Sequence, residues 1–141
     1  MHIRTPVLFL AGILVLMSCF VYPAYASANS DSVRIRIMFY NTENLFDNYD
    51  DPSTDDNEFL PSGLMRWSFQ RYTKKINSLY KTIVAAGEWD PPAIVAMCEV
   101  ENRKVLEDLV NNSNLKTFGY GIVHEDSPDT RGIDVCLIFR K

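Results

Sequence analysis

Asn41, Glu43 and Glu99 are the residues whose types and places along this 141-residue chain could do chemistry. Arg34-Ile35-Arg36-Ile37 alternates charged and apolar residues, and Phe39 keeps the isoleucine parity. That period of two is the pattern of a half-buried strand, so Ile35, Ile37 and Phe39 are expected to face a core. The same parity runs on to Asn41 and Glu43, so this face turns polar where the strand should end. A carboxamide and a carboxylate at the mouth of a core offer oxygen ligands on a rigid element, which suits a metal or phosphate site. The same two residue types also serve as ordinary turn formers.

Glu99 follows Ala93–Cys98, a continuous apolar run of the kind expected for a strand buried on both faces. A carboxylate there needs a cation, a hydrogen-bond donor or water, because burying it alone is costly. The plainer alternative is that Glu99 and Glu101 open the next helix and favour its positive end. If the two strands are neighbours, Asn41, Glu43 and Glu99 converge. Mg²⁺ is commonly held by one or two carboxylates with several waters, and it stabilises charge developing on a phosphoryl oxygen. A metal-dependent phosphoester hydrolase is therefore a reasonable hypothesis from these residues.

The elements that must position them follow from periodicity. Ser68 offers an N-cap, Phe69, Tyr72, Ile76, Leu79 and Ile83 recur at helical spacing, and Gly87 supplies a stop. Arg66, Arg71, Lys74, Lys75 and Lys81 read as a solvated outer face, and Trp67 and Trp89 as packing anchors. Asn102 can cap a helix to about Asn111, with Val105, Leu106, Leu109 and Val110 as its apolar side. Tyr120–Val123 is a short strand, His124–Thr130 a polar turn with His124 as a turn residue, and Ile133–Phe139 an alternating strand. The order is strand, helix, strand, helix, strand, strand. Between the first strand and the first helix, Asp47–Gly63 reads as a long, solvated acidic loop. Asp47 to Glu58 spans an EF-hand length, but Pro52 stands where the turn needs glycine and Tyr49 where a ligand belongs, so that motif is rejected.

Composition bounds the function. Residues 1–26 read as a cleaved export signal: His2 and Arg4, an apolar Val7–Val21, then Ala24-Tyr25-Ala26 as the cleavage site. A second exit is a lipobox, Leu16-Met17-Ser18-Cys19, which would lipidate Cys19 and tether the protein to a membrane. The expected location is thus periplasmic or extracellular, or else lipid-anchored to the envelope. The whole chain carries a formal charge of −4, and removal of residues 1–26 leaves 13 basic against 18 acidic side chains, a charge of −5. Such a balance is a poor footprint for sequence-independent nucleic-acid binding, although local cations could offset it. Cys98 and Cys136 each lie in a strand-like run, where they could pair or stay as buried thiols.

FYNTENLFD, DDPSTDDNEFLPSG, the helix with RW and RYTKKI, VAMCEVEN and DTRGIDVCLIFRK occur in an order and spacing that resembles one known family. It is the N-terminal half of the endonuclease/exonuclease/phosphatase superfamily, the deoxyribonuclease-I-like fold, in a secreted or envelope bacterial branch. The resemblance covers nearly all of residues 33–141, which form the expected domain. It implies an α/β class and a four-layer α/β sandwich of two packed β-sheets flanked by helices, of which this stretch is the N-terminal half. It further implies Glu99 as principal metal ligand, Asn41 at the phosphate and metal, Glu43 as a further ligand, and Mg²⁺ (or Mn²⁺ or Ca²⁺) as cofactor. Arg131 and Asp134 are candidate substrate contacts. Cys98 replaces the glutamine common before the metal-binding Glu. The family's later His, Asp-x-Asn and Asp-His motifs have no counterpart before Lys141, so the alternative reading is a catalytically inactive, truncated or binding module of the same fold. Expected substrates are phosphate esters, among them nucleic acid, nucleotide, inositol phosphate or phospholipid head group, and no stable protein partner is expected.

Overall fold

The structure is a computed structural model that describes residues Arg34–Lys141. The export-signal and Cys19 readings lie outside the described residues. Among the described residues, four strands and two helices follow the expected order: β1 (Ile37–Leu45), α1 (Phe69–Ala86), β2 (Ile94–Val100), α2 (Arg103–Asn111), β3 (Tyr120–His124) and β4 (Asp134–Arg140). Short 3-10 turns lie at Asn57–Phe59 and Asn114–Phe118.

Local chemistry starts each helix. Ser68 Oγ accepts from the Arg71 N–H, and Asn102 Oδ1 accepts from the Val105 N–H at 3.0 Å, each satisfying an amide the first turn leaves free. Gly87 closes α1, its N–H bonding to Val84 O. A Cβ at that position would stand 2.2 Å from the Asp90 carbonyl oxygen, so only glycine lets the chain turn back so tightly. Neither helix is long and apolar enough to cross a membrane.

The strands form one sheet in the order β1-β2-β4-β3, with β1 parallel to β2 and the remaining pairs antiparallel. Both helices pack on one face. There Tyr72, Ile76, Leu79 and Ile83 of α1 and Val105, Leu106 and Leu109 of α2 bury against Val95, Met97, Val100 and Ile138. At about 1.5–3 kcal/mol for each fully buried aliphatic side chain, this face supplies most of the driving force.

The opposite face of the sheet corrects one expectation. Ile35, Ile37 and Phe39 do not face the core; Phe39 is 82% exposed. Met38 and Tyr40, of the other parity, pack against the core instead. Both parities of β1 are apolar, and the helices lie on the side that the arginine alternation marks as outer. Ile37, Phe39, Val123 and Val135 therefore form an open apolar face. Trp89 and Phe69 are also exposed rather than packed. Cys98 and Cys136 do not pair: Cys98 stands opposite Val135 and Cys136 opposite Met97 in the ladder, one register step apart, so their side chains leave opposite faces.

Candidate functional site

Strand directions bring the candidate residues to one end of the sheet. Because β1 and β2 are parallel, Asn41–Glu43 and Glu99 end at the same edge. Because β4 runs against β2 and β3 against β4, the start of β4 at Asp134 and the end of β3 at His124 arrive there too.

Strands β1 and β2 both break their ladders at this end. The β1–β2 register shifts between Asn41 and Leu45, and the β2–β4 register between Cys98 and Val100. Three residues at these bulges are left-handed although none is glycine: Glu43 (φ 52°), Asn44 (φ 63°) and Glu99 (φ 60°). A side chain bearing a Cβ pays roughly 1–2 kcal/mol for that conformation, and asparagine less. A bulge turns one residue out of the alternation, here Glu99, whose neighbour Val100 returns to the core fully buried. The buried Thr42 hydroxyl fixes the bulge, lying 2.8 Å from Cys98 O and 2.7 Å from Glu99 O.

The half-buried Glu99 carboxylate is held on both oxygens. Oε1 accepts from Asn41 Nδ2 at 2.8 Å and Oε2 from the Asn44 N–H at 3.1 Å. Asn41 is itself oriented, since its Oδ1 accepts from the Glu43 N–H at 2.7 Å. Each oxygen keeps a free lone pair, as a hard-cation ligand must. The Glu43 carboxylate makes no hydrogen bond or ion pair among the described residues, and the Glu43 carbonyl accepts from Lys75 Nζ at 3.0 Å. Lys75 thus ties α1 to the site rather than only facing solvent.

Asp134 and His124 form a second, buried pair. His124 Nε2 lies 2.9 Å from Asp134 Oδ2, with side chains 4% and 3% exposed. The other ring nitrogen, Nδ1, lies 3.9 Å from Asp126 Oδ1. His124, Asp126 and Asp134 are the group of ligand-type side chains that lie within 4.8 Å of one another among the described residues. Arg131 pairs with Asp129 at 3.4 Å and stays largely exposed. A histidine read as a turn residue is therefore a buried partner of Asp134. The signal was the β3–β4 register, which puts His124 opposite Cys136, two positions past Asp134.

The acidic loop is less solvated than its composition suggests. Asp47 and Asp56 are buried, and the Trp67 indole donates to Phe46 O at 2.9 Å while Phe46 stacks on Phe59. Glu101, beside the site, accepts from the Asp47 N–H at 2.6 Å. Burial, reinforced by the charges of Asp47, Asp56 and Asp51, pushes its carboxyl up to about 8 even though the Asp47 N–H pulls it down.

The donor set at the bulges, a carboxylate and a carboxamide held by backbone N–H groups, is all oxygen, few in number and open on one side. That fits a small hard cation which keeps its own waters. A sequence model of the Endonuclease/Exonuclease/phosphatase family matches residues 36–141, most of the chain and all of its sheet. The chain belongs to the endonuclease/exonuclease/phosphatase family. Neither a curated protein nor a solved structure matches it. The mixed α/β architecture accords with that family: one sheet, with helices on one face, presents the Asn41–Glu99 pair at its end.

Proposed function

We propose that this endonuclease/exonuclease/phosphatase family chain is a divalent-metal-dependent phosphoester hydrolase, with Mg²⁺ as the resident ion and Glu99 as its principal ligand. The observation that carries the reading is the Asn41–Glu99 pair, locked at 2.8 Å on two strained, bulged strand ends. Strain of this kind is retained where the surrounding structure over-determines it and function requires it.

In this reading Glu99 holds the ion through the lone pairs that Asn41 and Asn44 leave free. Asn41 keeps the carboxylate from rotating and offers its carboxamide to metal or phosphate, and Glu43 is a further oxygen donor at the rim. Arg131, a planar donor fork, contacts a phosphate oxygen. The chemistry such an ion would supply when bound is Lewis-acid stabilisation of negative charge on phosphoryl oxygens. Phosphodiesters, including nucleic acid, are the substrate class, and the leader-like residues 1–26 support an exported protein.

The test is hydrolysis of bis(p-nitrophenyl) phosphate with and without Mg²⁺. Glu99→Gln, which keeps the shape and loses the charge, is expected to lower Mg²⁺-dependent turnover at least 100-fold. Turnover indifferent to both Mg²⁺ and Glu99 contradicts the reading. Metal binding without turnover would favour the binding-module alternative.

A further inference from the structure

We propose that His124 and Asp134 are positioning residues: their buried pair holds the turn between β3 and β4, and with it Arg131, at the same end of the sheet as Glu99. The proposal rests on the phosphoesterase reading, because it assigns to the turn the task of presenting a cation to phosphate.

The geometry is that of a turn fastened from two sides. From beneath, Asp134 uses both carboxylate oxygens: Oδ2 pairs with His124 Nε2 at 2.9 Å and Oδ1 accepts from the Ser127 N–H at 2.7 Å. Ser127 Oγ then donates to Ile133 O at 2.9 Å and closes the turn on itself. From the side, the Asp55 N–H donates to Thr130 O at 2.8 Å. Gly132, at φ +72°, leaves room for the Thr54 methyl, which would stand 2.7 Å from a Cβ. The side chain of Arg131, the cation of this turn, takes no part in these contacts. Its backbone N–H bonds to Asp129 Oδ1, its guanidinium meets that same Asp129 alone among the described residues, and its side chain is 57% exposed.

A carboxylate this deeply buried is expensive unless every lone pair has work. Two apolar side chains would have joined β3 to β4 more cheaply. A carboxylate at 134 reaches what they could not, the Ser127 amide, and the His124 imidazole occupies its second oxygen. Removing His124 leaves a buried carboxylate half-satisfied, and the turn is the element free to move in response. A loosened turn no longer presents the guanidinium in one place, which weakens binding of the phosphate more than the chemistry that follows.

The experiment uses the full chain and two readouts, hydrogen exchange by mass spectrometry and Mg²⁺-dependent turnover of bis(p-nitrophenyl) phosphate. His124→Ala is expected to speed amide exchange in the Glu125–Gly132 turn, and at Asp55, at least tenfold, while β2 keeps its protection. His124→Gln, whose amide can place a donor near Asp134, should restore slow exchange. Arg131→Ala should leave turn exchange unchanged. In turnover, His124→Ala and Arg131→Ala should each raise KM about tenfold with kcat within threefold, and the double variant should add nothing further. If His124→Ala loses β2 protection, Asp134→Asn takes its place. Wild-type exchange in the turn of His124→Ala or of Asp134→Asn, or additive KM effects in the double variant, would overturn the proposal. A wild-type chain without Mg²⁺-dependent turnover would instead sink the phosphoesterase reading and the role given to Arg131, and the exchange data would still decide whether the pair holds the turn.

Discussion

At the scale of the residue, the site is built from conformations that side chains avoid. Glu43 has a left-handed backbone and, among the described residues, an unpaired side chain, which makes it the cleanest probe of stored strain. Glycine there relieves the roughly 1–2 kcal/mol cost of the conformation and returns part of it through a freer unfolded chain. Glu43→Gly should therefore raise stability by ~0.5 to 1 kcal/mol in urea unfolding. If Glu43 is a metal ligand, the same change weakens Mn²⁺ binding; unchanged affinity would remove it from the ligand set. Asn41 and Glu99 were legible because an alternating run in one strand and a continuous apolar run in the other each stop at polar residues. His124 was not, because its partner lies ten residues on, across a turn, and only the pairing of β3 with β4 brings the two together.

At the scale of the element, the loop after β1 joins the start of α2 through buried carboxylates. Burial holds the Glu101 carboxyl at about 8 in the fold against an ordinary 4.5. The native state thus holds a proton that the unfolded chain has released, so Glu101's contribution is fully present below about 4.5 and is lost as pH rises through 8. Glu101→Gln keeps an acceptor for the Asp47 N–H and removes the ionisation. Its Tm relative to wild type should climb between pH 5 and pH 8, and a constant difference across that range would contradict the assignment. Helix phases and caps were readable at this scale, since Ser68 and Asn102 act through local bonds. The buried faces of β1 were not. Ile37 and Phe39 on one parity and Met38 and Tyr40 on the other are equally apolar, and only the position of the helices decides which set is covered.

At the scale of the whole molecule, one sheet carries helices on one face and an apolar surface on the other, where the family resemblance expects a second packed sheet. Phe39 and Val135, 82% and 70% exposed, dominate that surface, and contiguous apolar patches promote association. Phe39→Ser with Val135→Thr should lower binding of the dye ANS and shift sedimentation toward monomer, with far-UV circular dichroism unchanged; unaltered dye binding would show that the face is covered in solution. The central claim is the metal centre at the two bulged strand ends, and it can be tested without turnover. Mn²⁺ binding to the full chain, followed by electron paramagnetic resonance, should show one site that Glu99→Gln weakens at least tenfold and that Mg²⁺ displaces. Equal Mn²⁺ affinity in wild type and Glu99→Gln would contradict the account.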